Sequence, residues 1–339
     1  MGSDDKEVEV DMAPHVRLYK DGTVFRQNTL PLLPASPEPG EDGVASKDIT
    51  LDADRGLWAR VFLPSSPSAS DLTHKKLPVI LYFHGGGFIF GSPDWSGSHM
   101  FCAGVAKRSE SIIVSASYRL APEHRLPAAF EDGFSALKWL HSQSLHQSEG
   151  KHELMDSWLV SADFSRCFIG GGSAGATIAY HLGKTAFNTP YSAASWTPMC
   201  ITGLVLVHPG FVRGSRTQEE LDCYQDKHMN WNMVEVCSKI ILPRGSGMDN
   251  SYLNPLPIAS SPGSPFTLPK SLVLLAENDA LRFYILECVE ALKHAGCDID
   301  TVMQHGVGHV FFIDQPDSLQ ARHMLHTIAD FINEDHKIL

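Results

Sequence analysis

The sequence lacks the features that would direct it to a membrane, to nucleic acid or to secretion. No apolar run reaches the roughly 18 residues of a membrane span, and the first letters, MGSDDKEVEVDM, contain no apolar core of a signal peptide. Lys and Arg number 27 against 39 Asp and Glu, a net charge of −12, and no basic cluster offsets it. Because nucleic acids and anionic membranes attract positive charge, we expect neither as a partner.

Cysteine pairs are also missing. The seven cysteines stand singly, with no C-x-x-C pair and an odd total: Cys102, Cys167, Cys200, Cys223, Cys237, Cys288 and Cys297. This distribution favours reduced thiols that pack as inert core residues, and with the missing signal it predicts a cytoplasmic location. The Met-Gly start would suit myristoylation, but Lys6 stands where Ser or Thr is required.

From Leu57 onward, short apolar runs alternate with helical patterns. The apolar runs begin at Leu57, Leu77, Ser111, Arg166, Thr202 and Ser271, and the helical patterns cover 128–143, 174–187, 280–296 and 318–333. This alternation predicts an α/β fold whose mostly parallel sheet is covered by helices on both faces. A large sheet of this kind can absorb 339 residues, so we expect residues 1–339 to form one domain.

Two stretches depart from the alternation, and we expect both to form a cap over the carboxyl edge of the sheet. The leader, residues 1–50, contains Asp21-Gly22 between apolar-alternating runs, which predicts a tight turn, followed by an irregular Pro-rich stretch over 30–43. The insertion, about residues 213–269, is polar and rich in Pro and Gly. It carries a stripe that either packs on the core or lines an acyl pocket: Met229, Trp231 and Met233.

The stretch FIGGGSAGATIAYH, residues 168–181, matches two different motifs. One is the G-x-G-x-x-G of a dinucleotide-binding turn and the other is the G-x-S-x-G of a nucleophile elbow. The residues are Gly170, Gly172 and Gly175 in the first case and Gly171, Ser173 and Gly175 in the second. A dinucleotide site needs an acidic residue about 20 positions downstream, and none occurs between Asp163 and Glu219. The elbow is therefore favoured.

A nucleophilic serine requires a base and an orienting acid, in the chain order Ser, Asp or Glu, His that this elbow motif accompanies. Asp279 follows the strand SLVLLA, and His309 follows the final strand pattern and precedes the last helix. Glu277 and His305 are the nearby alternatives. At the helix N-terminus after Ser173, the backbone N–H of Ala174 is expected to face a developing oxyanion.

A second glycine motif, YFHGGGF over 82–88, directly follows the strand that begins at Leu77. Consecutive glycines let backbone N–H groups face a substrate oxygen without obstruction, and one such donor is worth roughly 2.7–4 kcal/mol in comparable enzymes. Two glycine motifs after strands, with an Asp and a His in the required order, favour a hydrolase.

Together, HGGGF and GGSAG, with YRLAPEHRLPAAFEDG between them, resemble the plant carboxylesterase branch of the hormone-sensitive-lipase-like α/β-hydrolases. YKDGTVFR, NPL and GHVFF extend the similarity over nearly the whole chain. The resemblance implies an α/β-hydrolase fold and a serine carboxylesterase that cleaves a small-molecule ester through an acyl-enzyme, without metal or organic cofactor. By position it implies Ser173 as nucleophile, His309 as base, Asp279 as orienting acid, and Gly86, Gly87 and Ala174 as the oxyanion hole.

The chain departs from the family beside the nucleophile, where Gly172 replaces an Asp. Other departures are Ala116, Ser117, Ala176, Thr177 and Phe283, and we expect several of them to lie beside the pocket and tune its selectivity. Two rival functions remain. A lyase, dehydratase or cyclase would need only the base and the oxyanion donors, whereas a hormone receptor like the related gibberellin receptors would lack the catalytic His, which His309 supplies here. No feature separates a monomer from a homodimer.

The remaining polar residues of interest are predicted to be structural. No metal-ligand spacing connects the histidines His84, His124, His181 and His208, so we expect them to pack or form hydrogen bonds. Glu131 and Asp132 lie in a helical pattern and are expected to make polar contacts that support the fold.

Overall fold

A central eight-stranded sheet and a separate three-stranded sheet organise the computed structural model, which describes residues 6–12, 14–27, 30–65, 76–188, 190–222, 230–256 and 266–334. The strands are β1 (Val8–Met12), β2 (Val16–Tyr19), β3 (Val24–Arg26), β4 (Val44–Asp52), β5 (Leu57–Pro64), β6 (Leu77–Phe83), β7 (Ile112–Ala116), β8 (Ala162–Gly172), β9 (Ile201–Val207), β10 (Lys270–Ala276) and β11 (Ile299–Gln304).

The large sheet has the strand order β11-β10-β9-β8-β6-β7-β5-β4. Strands β6 to β11 run parallel to one another, while β5 is antiparallel to β7 and β4 is antiparallel to β5. In register, Phe83 of β6 pairs with Gly171 of β8, so the carboxyl ends of these two strands meet. The prediction of a mostly parallel sheet is confirmed.

Helices cover both faces of this sheet. They are α1 (Ser96–Ser109), α2 (Ala128–Ser148), α3 (Ala174–Phe187), α4 (Gln218–Asp222), α5 (Trp231–Ile241), α6 (Arg282–His294) and α7 (Leu319–Asn333), with short 3-10 helices at His152–Leu154, Ser157–Leu159, Ala193–Trp196 and Phe311–Ile313. Alternate residues of β6 point to opposite faces of the sheet. Leu81 and Phe83 pack in the core covered by α2, α3 and α6, whereas Ile80 and Tyr82 pack in the core covered by α1 and α7. No helix of the described ranges has the length and apolar character needed to cross a bilayer.

Helix α1 was not predicted, because its sequence carries two glycines and no side-chain cap. Both glycines make room for a neighbour. A Cβ on Gly97 would lie 2.9 Å from Ile313 Cδ1, and one on Gly104 would lie 3.0 Å from Leu325 Cδ1 of α7. Close packing between α1 and α7 thus overrides the poor local helix propensity.

The leader begins with the small antiparallel sheet β1-β2-β3. The predicted tight turn joins β2 to β3, with Gly22 at φ 85° and the Asp21 Oδ1 atom accepting a hydrogen bond from Thr23 N at 2.8 Å. Only glycine adopts such a φ without strain, which explains the Asp-Gly pair.

The Pro-rich stretch is irregular, as predicted, and a buried cation fixes it to the main sheet. The Arg60 side chain, on β5, is 2% exposed and forms a two-pronged ion pair with Asp48 at 2.7 and 2.8 Å. Its Nη1 atom donates to the carbonyl of Leu33 at 2.6 Å and lies 3.1 Å from His99 Nδ1. Such a cation must keep all its partners, because a buried charge without a partner is strongly destabilising.

The insertion contributes α4 and α5, and α5 is tied to the loop before α2. Asn230 caps α5 by accepting from Met233 N at 2.9 Å. Arg125 Nη1 donates to the carbonyls of Lys239 and Leu242, each at 2.7 Å, and Leu126 N donates to Ile241 O at 2.8 Å. The carboxyl end of α5 is therefore anchored beside the carboxyl edge of the sheet.

Candidate active site

Ser173 lies at the sharp junction between β8 and α3. Its backbone has φ 53° and ψ −118°, and its N–H donates to Val207 O at 2.9 Å. A Cβ on Gly171 would lie 2.2 Å from the Gly175 carbonyl, and one on Gly175 would lie 2.0 Å from Phe83 O. Only glycine fits at either position. Gly170 lies within β8, as a strand residue, so the G-x-G-x-x-G match does not form a turn of its own.

Three side chains predicted from the sequence come together at this junction. The Ser173 Oγ atom lies 2.8 Å from His309 Nε2, and His309 Nδ1 lies 2.6 Å from Asp279 Oδ2. All three are buried, at 8%, 2% and 1% exposure respectively. With the proton on Nδ1, His309 donates to Asp279 and its Nε2 atom accepts from the serine hydroxyl.

Asp279 is held as an ionised acceptor. Its Oδ1 atom accepts from Leu281 N at 2.9 Å while Oδ2 faces His309. Burial raises the pKa of Asp279, but the charge and hydrogen bond of His309 together with the charge of His208 outweigh it, so the pKa lies below its usual value. The carboxylate can therefore orient the imidazole and stabilise its charged form.

The alternative residues Glu277 and His305 pair with each other instead. Their side chains lie at the surface, with His305 Nδ1 3.3 Å from Glu277 Oε1 and His305 76% exposed. The second carboxylate oxygen of Glu277 accepts from Gly306 N at 2.8 Å. This pair shapes the loop after β11 and does not reach Ser173.

The oxyanion turn, residues 85–90, follows β6 and faces the elbow. Gly86 and Gly87 have φ of 114° and 61°, and both line the same cavity as Ser173 and Ala174. Within the ranges that the structure describes, the N–H groups of Gly86, Gly87 and Ala174 donate to no other protein group. Three backbone donors thus line the same cavity as the serine, and such donors are what an oxyanion hole would need.

His208 lies directly behind His309. Its Nδ1 atom accepts from Val310 N at 2.9 Å and its Nε2 atom lies 2.9 Å from Gln304 Oε1, so it fixes the residue next to His309. The sequence identified His208 only as a packing or hydrogen-bonding histidine. Its place at the end of β9, next to the elbow strand, is the signal that points to a supporting role.

A cavity of about 640 Å³ opens onto Ser173. Its walls are mostly apolar, and they come from both stretches that depart from the strand–helix alternation. The leader supplies Asp11, Met12, Pro14, His15, Leu30 and Pro31, and the insertion supplies Asn230, Asn232, Met233, Val234, Val236, Cys237, Ser238, Ile241 and Leu253. A volume of this size suits a small organic molecule.

The residues of the insertion stripe were predicted either to pack on the core or to line an acyl pocket, and different members do each. Met233 lines the cavity, whereas Trp231 turns toward α4, where its Nε1 atom donates to Glu220 O at 2.9 Å. Met229 lies outside the described residues. Cys237 also lines the cavity, so it is not the inert core residue that was expected, although burial raises the pKa of its thiol to about 12.

Two of the family departures expected beside the pocket, Gly172 and Thr177, adjoin Ser173: Gly172 precedes it in the chain and Thr177 N donates to Ser173 O at 3.1 Å. None of the following lines the cavity within the described part of the chain: Ala116, Ser117, Gly172, Ala176, Thr177 and Phe283. The hydroxyl of Ser117, for example, accepts from Trp58 N at 2.9 Å, and Phe283 packs under Arg282. The departures therefore form no part of the cavity wall itself, and Ala176 and Thr177 are buried on α3.

The other residues predicted to be structural make contacts of that kind. Asp132 is fully buried and accepts from the backbone and the guanidinium of Arg119, whereas Glu131 is exposed beside them. The His84 ring stacks on Tyr118, and the His181 ring stacks on Phe130. His124 is exposed, and Cys223 lies outside the described residues. The six described cysteines are free.

Comparison with known proteins places this geometry in a family. Residues 80–313 match the family defined by the α/β-hydrolase fold. The chain belongs to the α/β-hydrolase family. This hydrolase is 33% identical to a 2-hydroxyisoflavanone dehydratase of Glycyrrhiza echinata over 96% of this chain and 97% of that protein. It is 32% identical to probable carboxylesterase 13 of Arabidopsis thaliana over 98% of this chain and 99% of that protein.

Solved structures agree with the fold. The hydrolase matches an esterase from Pyrobaculum calidifontis with a TM-score of 0.68 and 26% identity, covering 90% of this chain and 86% of that one. The resemblance to the plant carboxylesterase branch is therefore confirmed by the sequence relatives, and the α/β-hydrolase fold is confirmed by the solved structure as well.

Proposed function

We propose that this hydrolase is a serine carboxylesterase that cleaves a small-molecule carboxylic ester. The single observation that carries the proposal is the buried chain of hydrogen bonds from Ser173 through His309 to Asp279. The carboxylesterase and esterase relatives support the same reaction class. Gly86, Gly87 and Ala174 are proposed as the oxyanion hole.

The reaction follows from the positions of these groups. As Ser173 Oγ bonds to the ester carbonyl carbon, its proton passes to His309 Nε2, and the carbonyl oxygen becomes an oxyanion that the backbone donors stabilise. Asp279 stabilises the resulting imidazolium. Collapse of the intermediate breaks the ester C–O bond, and the alcohol leaves with the proton from His309. Water activated by the same imidazole then hydrolyses the acyl-enzyme and releases the acid.

The two stretches that line the cavity are proposed to act as its cap. In this reading residues 1–339 form one hydrolase domain, with residues 1–50 and about 213–269 covering the site. Their side chains supply most of the apolar wall and would decide which ester fits. We propose a cytoplasmic location, in keeping with the unpaired cysteines.

The decisive experiment replaces the nucleophile. Ser173→Ala is expected to abolish hydrolysis of p-nitrophenyl butyrate while its melting temperature stays close to that of the wild type. His309→Ala should abolish turnover too. His305→Ala is the matched control, because this exposed histidine pairs only with Glu277 at the surface, and it should retain full activity. Retained turnover in Ser173→Ala would overturn the assignment.

The dehydratase relative supports a second candidate, elimination of water. In that reaction His309 would remove a proton next to a carbonyl while the oxyanion donors hold the enolate. Collapse of the enolate would break the C–O bond of the β-hydroxyl, which leaves as water with the proton from His309, and Ser173 would form no bond. The same variant separates the two functions. If Ser173→Ala keeps the ability to convert a β-hydroxyketone to its unsaturated product, elimination is the activity; if it loses ester turnover and makes no such product, hydrolysis is.

A further inference from the structure

We infer that Arg26 is a positioning residue that holds the oxyanion turn in its working shape from the N-terminal leader. This role rests on the proposed function, since it assigns Arg26 to the support of the oxyanion hole. Arg26 lies at the end of β3, far from Ser173 in the sequence, and it does not line the cavity.

The Arg26 guanidinium ties together two loops at the back of the oxyanion turn. Its Nη1 atom donates to the carbonyl of Ile89, and its Nη2 atom donates to the carbonyl of Ala121 at 2.8 Å. The Ala121 N–H in turn donates to Phe88 O at 2.8 Å. One cation therefore closes a ring of contacts around residues 88 and 89.

The turn needs such support because no strand or helix contains it. Its internal hydrogen bonds run to one acceptor, Gly86 O, which receives Ile89 N at 3.0 Å and Phe90 N at 3.1 Å. A Cβ on Gly86 would lie 2.0 Å from Phe90 O, so the chain doubles back closely on itself there. A shift of the Ile89 carbonyl would carry the Gly86 and Gly87 N–H groups with it.

A second contact from the leader acts beside the first. The His15 ring stacks on Phe90 with centroids 4.7 Å apart and planes at 24°, and Gln27 N donates to His15 O at 2.9 Å. Arg26 and His15 are thus neighbours in the leader, and they contact adjacent residues of the turn, Ile89 and Phe90 respectively. The leader therefore supports the oxyanion turn at two points, in addition to the burial of Phe88 and Ile89 in the core.

The side chain must be arginine for this geometry. Its Nε and Nη2 atoms also bind the Glu123 carboxylate at 3.1 and 2.6 Å, so a single planar fork serves two carbonyls and one acid. An ammonium group is a point charge and cannot span all three. Glu123 itself does not contact the turn, which makes it the natural control.

The test compares Arg26→Met and Arg26→Lys with Glu123→Gln, which removes the ion pair but leaves the arginine free to hold both carbonyls. A further control, Lys20→Met, removes an exposed ion pair with Glu7 in the same leader. The first readout is amide hydrogen exchange of the peptide that covers residues 85–90. Exchange should accelerate at least about tenfold in Arg26→Met and remain as in the wild type in both controls.

The second readout is the hydrolysis of p-nitrophenyl butyrate. In Arg26→Met we expect kcat to fall about 10- to 100-fold, part of the loss caused by removing an oxyanion donor, while KM changes less than about threefold. Arg26→Lys should fall in between. Should Arg26→Met fail to give a cooperative melting transition, Arg26→Lys decides in its place.

Unchanged exchange and unchanged kcat in the arginine variants would overturn the inference. Equal losses in Glu123→Gln would also overturn it, because the ion pair rather than the carbonyl contacts would then be responsible. Hydrogen exchange does not depend on catalysis. If the wild type cleaves no ester, the proposed function fails while the exchange data still decide whether Arg26 holds the turn.

Discussion

The two glycine turns of the site are held in place by different parts of the molecule. The elbow around Ser173 is held by β6, β8 and β9 and by α3, all elements of the main core, and its flanking glycines abut backbone atoms. The oxyanion turn lies outside any strand or helix. Its Phe88 and Ile89 side chains are buried in the same core, and its backbone is held by Ala121 and by Arg26 and His15 of the leader. One turn is therefore enclosed by elements of the main sheet, and the other receives additional contacts from the leader.

This difference indicates which of the two turns can tolerate substitutions around it. The strands and the helix that hold the nucleophile also form the main core. A change that displaces the nucleophile would therefore destabilise the whole domain. The oxyanion turn also depends on Arg26 and His15 of the leader, whose contacts can be altered by single substitutions that leave the buried Val16 and Leu18 of the leader sheet in the core. Substitutions in each turn test this contrast.

The largest effect is expected for Gly175→Ala, because the added methyl group would lie 2.0 Å from Phe83 O and 2.6 Å from His84 O. Backbone atoms cannot yield, so we expect a loss of more than about 4 kcal/mol and no folded protein. Gly87→Ala is the matched comparison. Its nearest neighbour would be Cys237 Sγ at 3.8 Å, and the expected loss is the roughly 1–2 kcal/mol of a positive φ.

Thermal unfolding measures both variants. Gly87→Ala should melt only a few degrees below the wild type, with kcat reduced because the methyl group stands in the oxyanion turn. If Gly175→Ala were as stable as Gly87→Ala, the view that the core rigidly encloses the elbow would be wrong.

The next effect concerns pH, to which each turn contributes one buried histidine. Burial lowers the pKa of His84, at the oxyanion turn, and of His181, on α3 behind the elbow, to about 4 in each case. In the unfolded chain these histidines bind protons with a pKa near 6.5, whereas in the folded protein they stay neutral down to about pH 4. Between pH 6.5 and 4 the unfolded state therefore binds more protons than the folded state. Stability should therefore fall as the pH decreases through this window, by up to about 1.4 kcal/mol per pH unit for each histidine.

Urea unfolding between pH 6.5 and 5 measures this slope. His181→Gln should reduce the slope of the unfolding free energy against pH by the contribution of one histidine. His124→Gln, at an exposed position, should leave the slope unchanged. An unchanged slope in His181→Gln would show that carboxylates elsewhere cause the acid sensitivity.

The smallest effect is expected for Gly172→Asp, which restores the residue that the family carries beside the nucleophile. The new Cβ would lie 3.1 Å from Tyr82 Oη, a contact that a small shift of the hydroxyl relieves, and the carboxylate could accept from that hydroxyl. We expect a loss below about 1 kcal/mol, and a larger loss in the Tyr82→Phe background. Preference between p-nitrophenyl acetate and hexanoate should not change, because Gly172 does not line the cavity.

A double-mutant cycle in urea provides the measurement. Equal losses with and without the Tyr82 hydroxyl would exclude the proposed hydrogen bond. A changed ester preference would show that Gly172 acts on selectivity from outside the cavity.

Much of the site could be predicted from sequence because its residues follow strands. The order of Ser173, Asp279 and His309 at strand ends was enough to expect them together, since the carboxyl ends of parallel strands share one edge. Helix α1 could not be predicted in the same way. Its glycines lower the local helix signal, and the neighbours that require them lie more than 200 residues away.

The cavity wall was predictable only in outline. Composition identified the leader and the insertion as unusual, but which of their side chains face the site depends on contacts between distant segments, such as that of Arg26 with Ile89. No periodicity reports such contacts. For the same reason the sequence could not show that the departures from the family pattern form no part of the cavity wall.

Arg60 has a consequence for the exchange of segments between relatives. A leader grafted from another member of the family would bring a new cavity wall, but its Pro-rich stretch would also have to present a carbonyl to this cation, as Leu33 does here. A graft that keeps Asp48 but fails to do so would leave one N–H of the buried guanidinium without its acceptor, at about 1–3 kcal/mol. A leader exchanged between relatives should therefore be moved together with β5, the strand that bears Arg60.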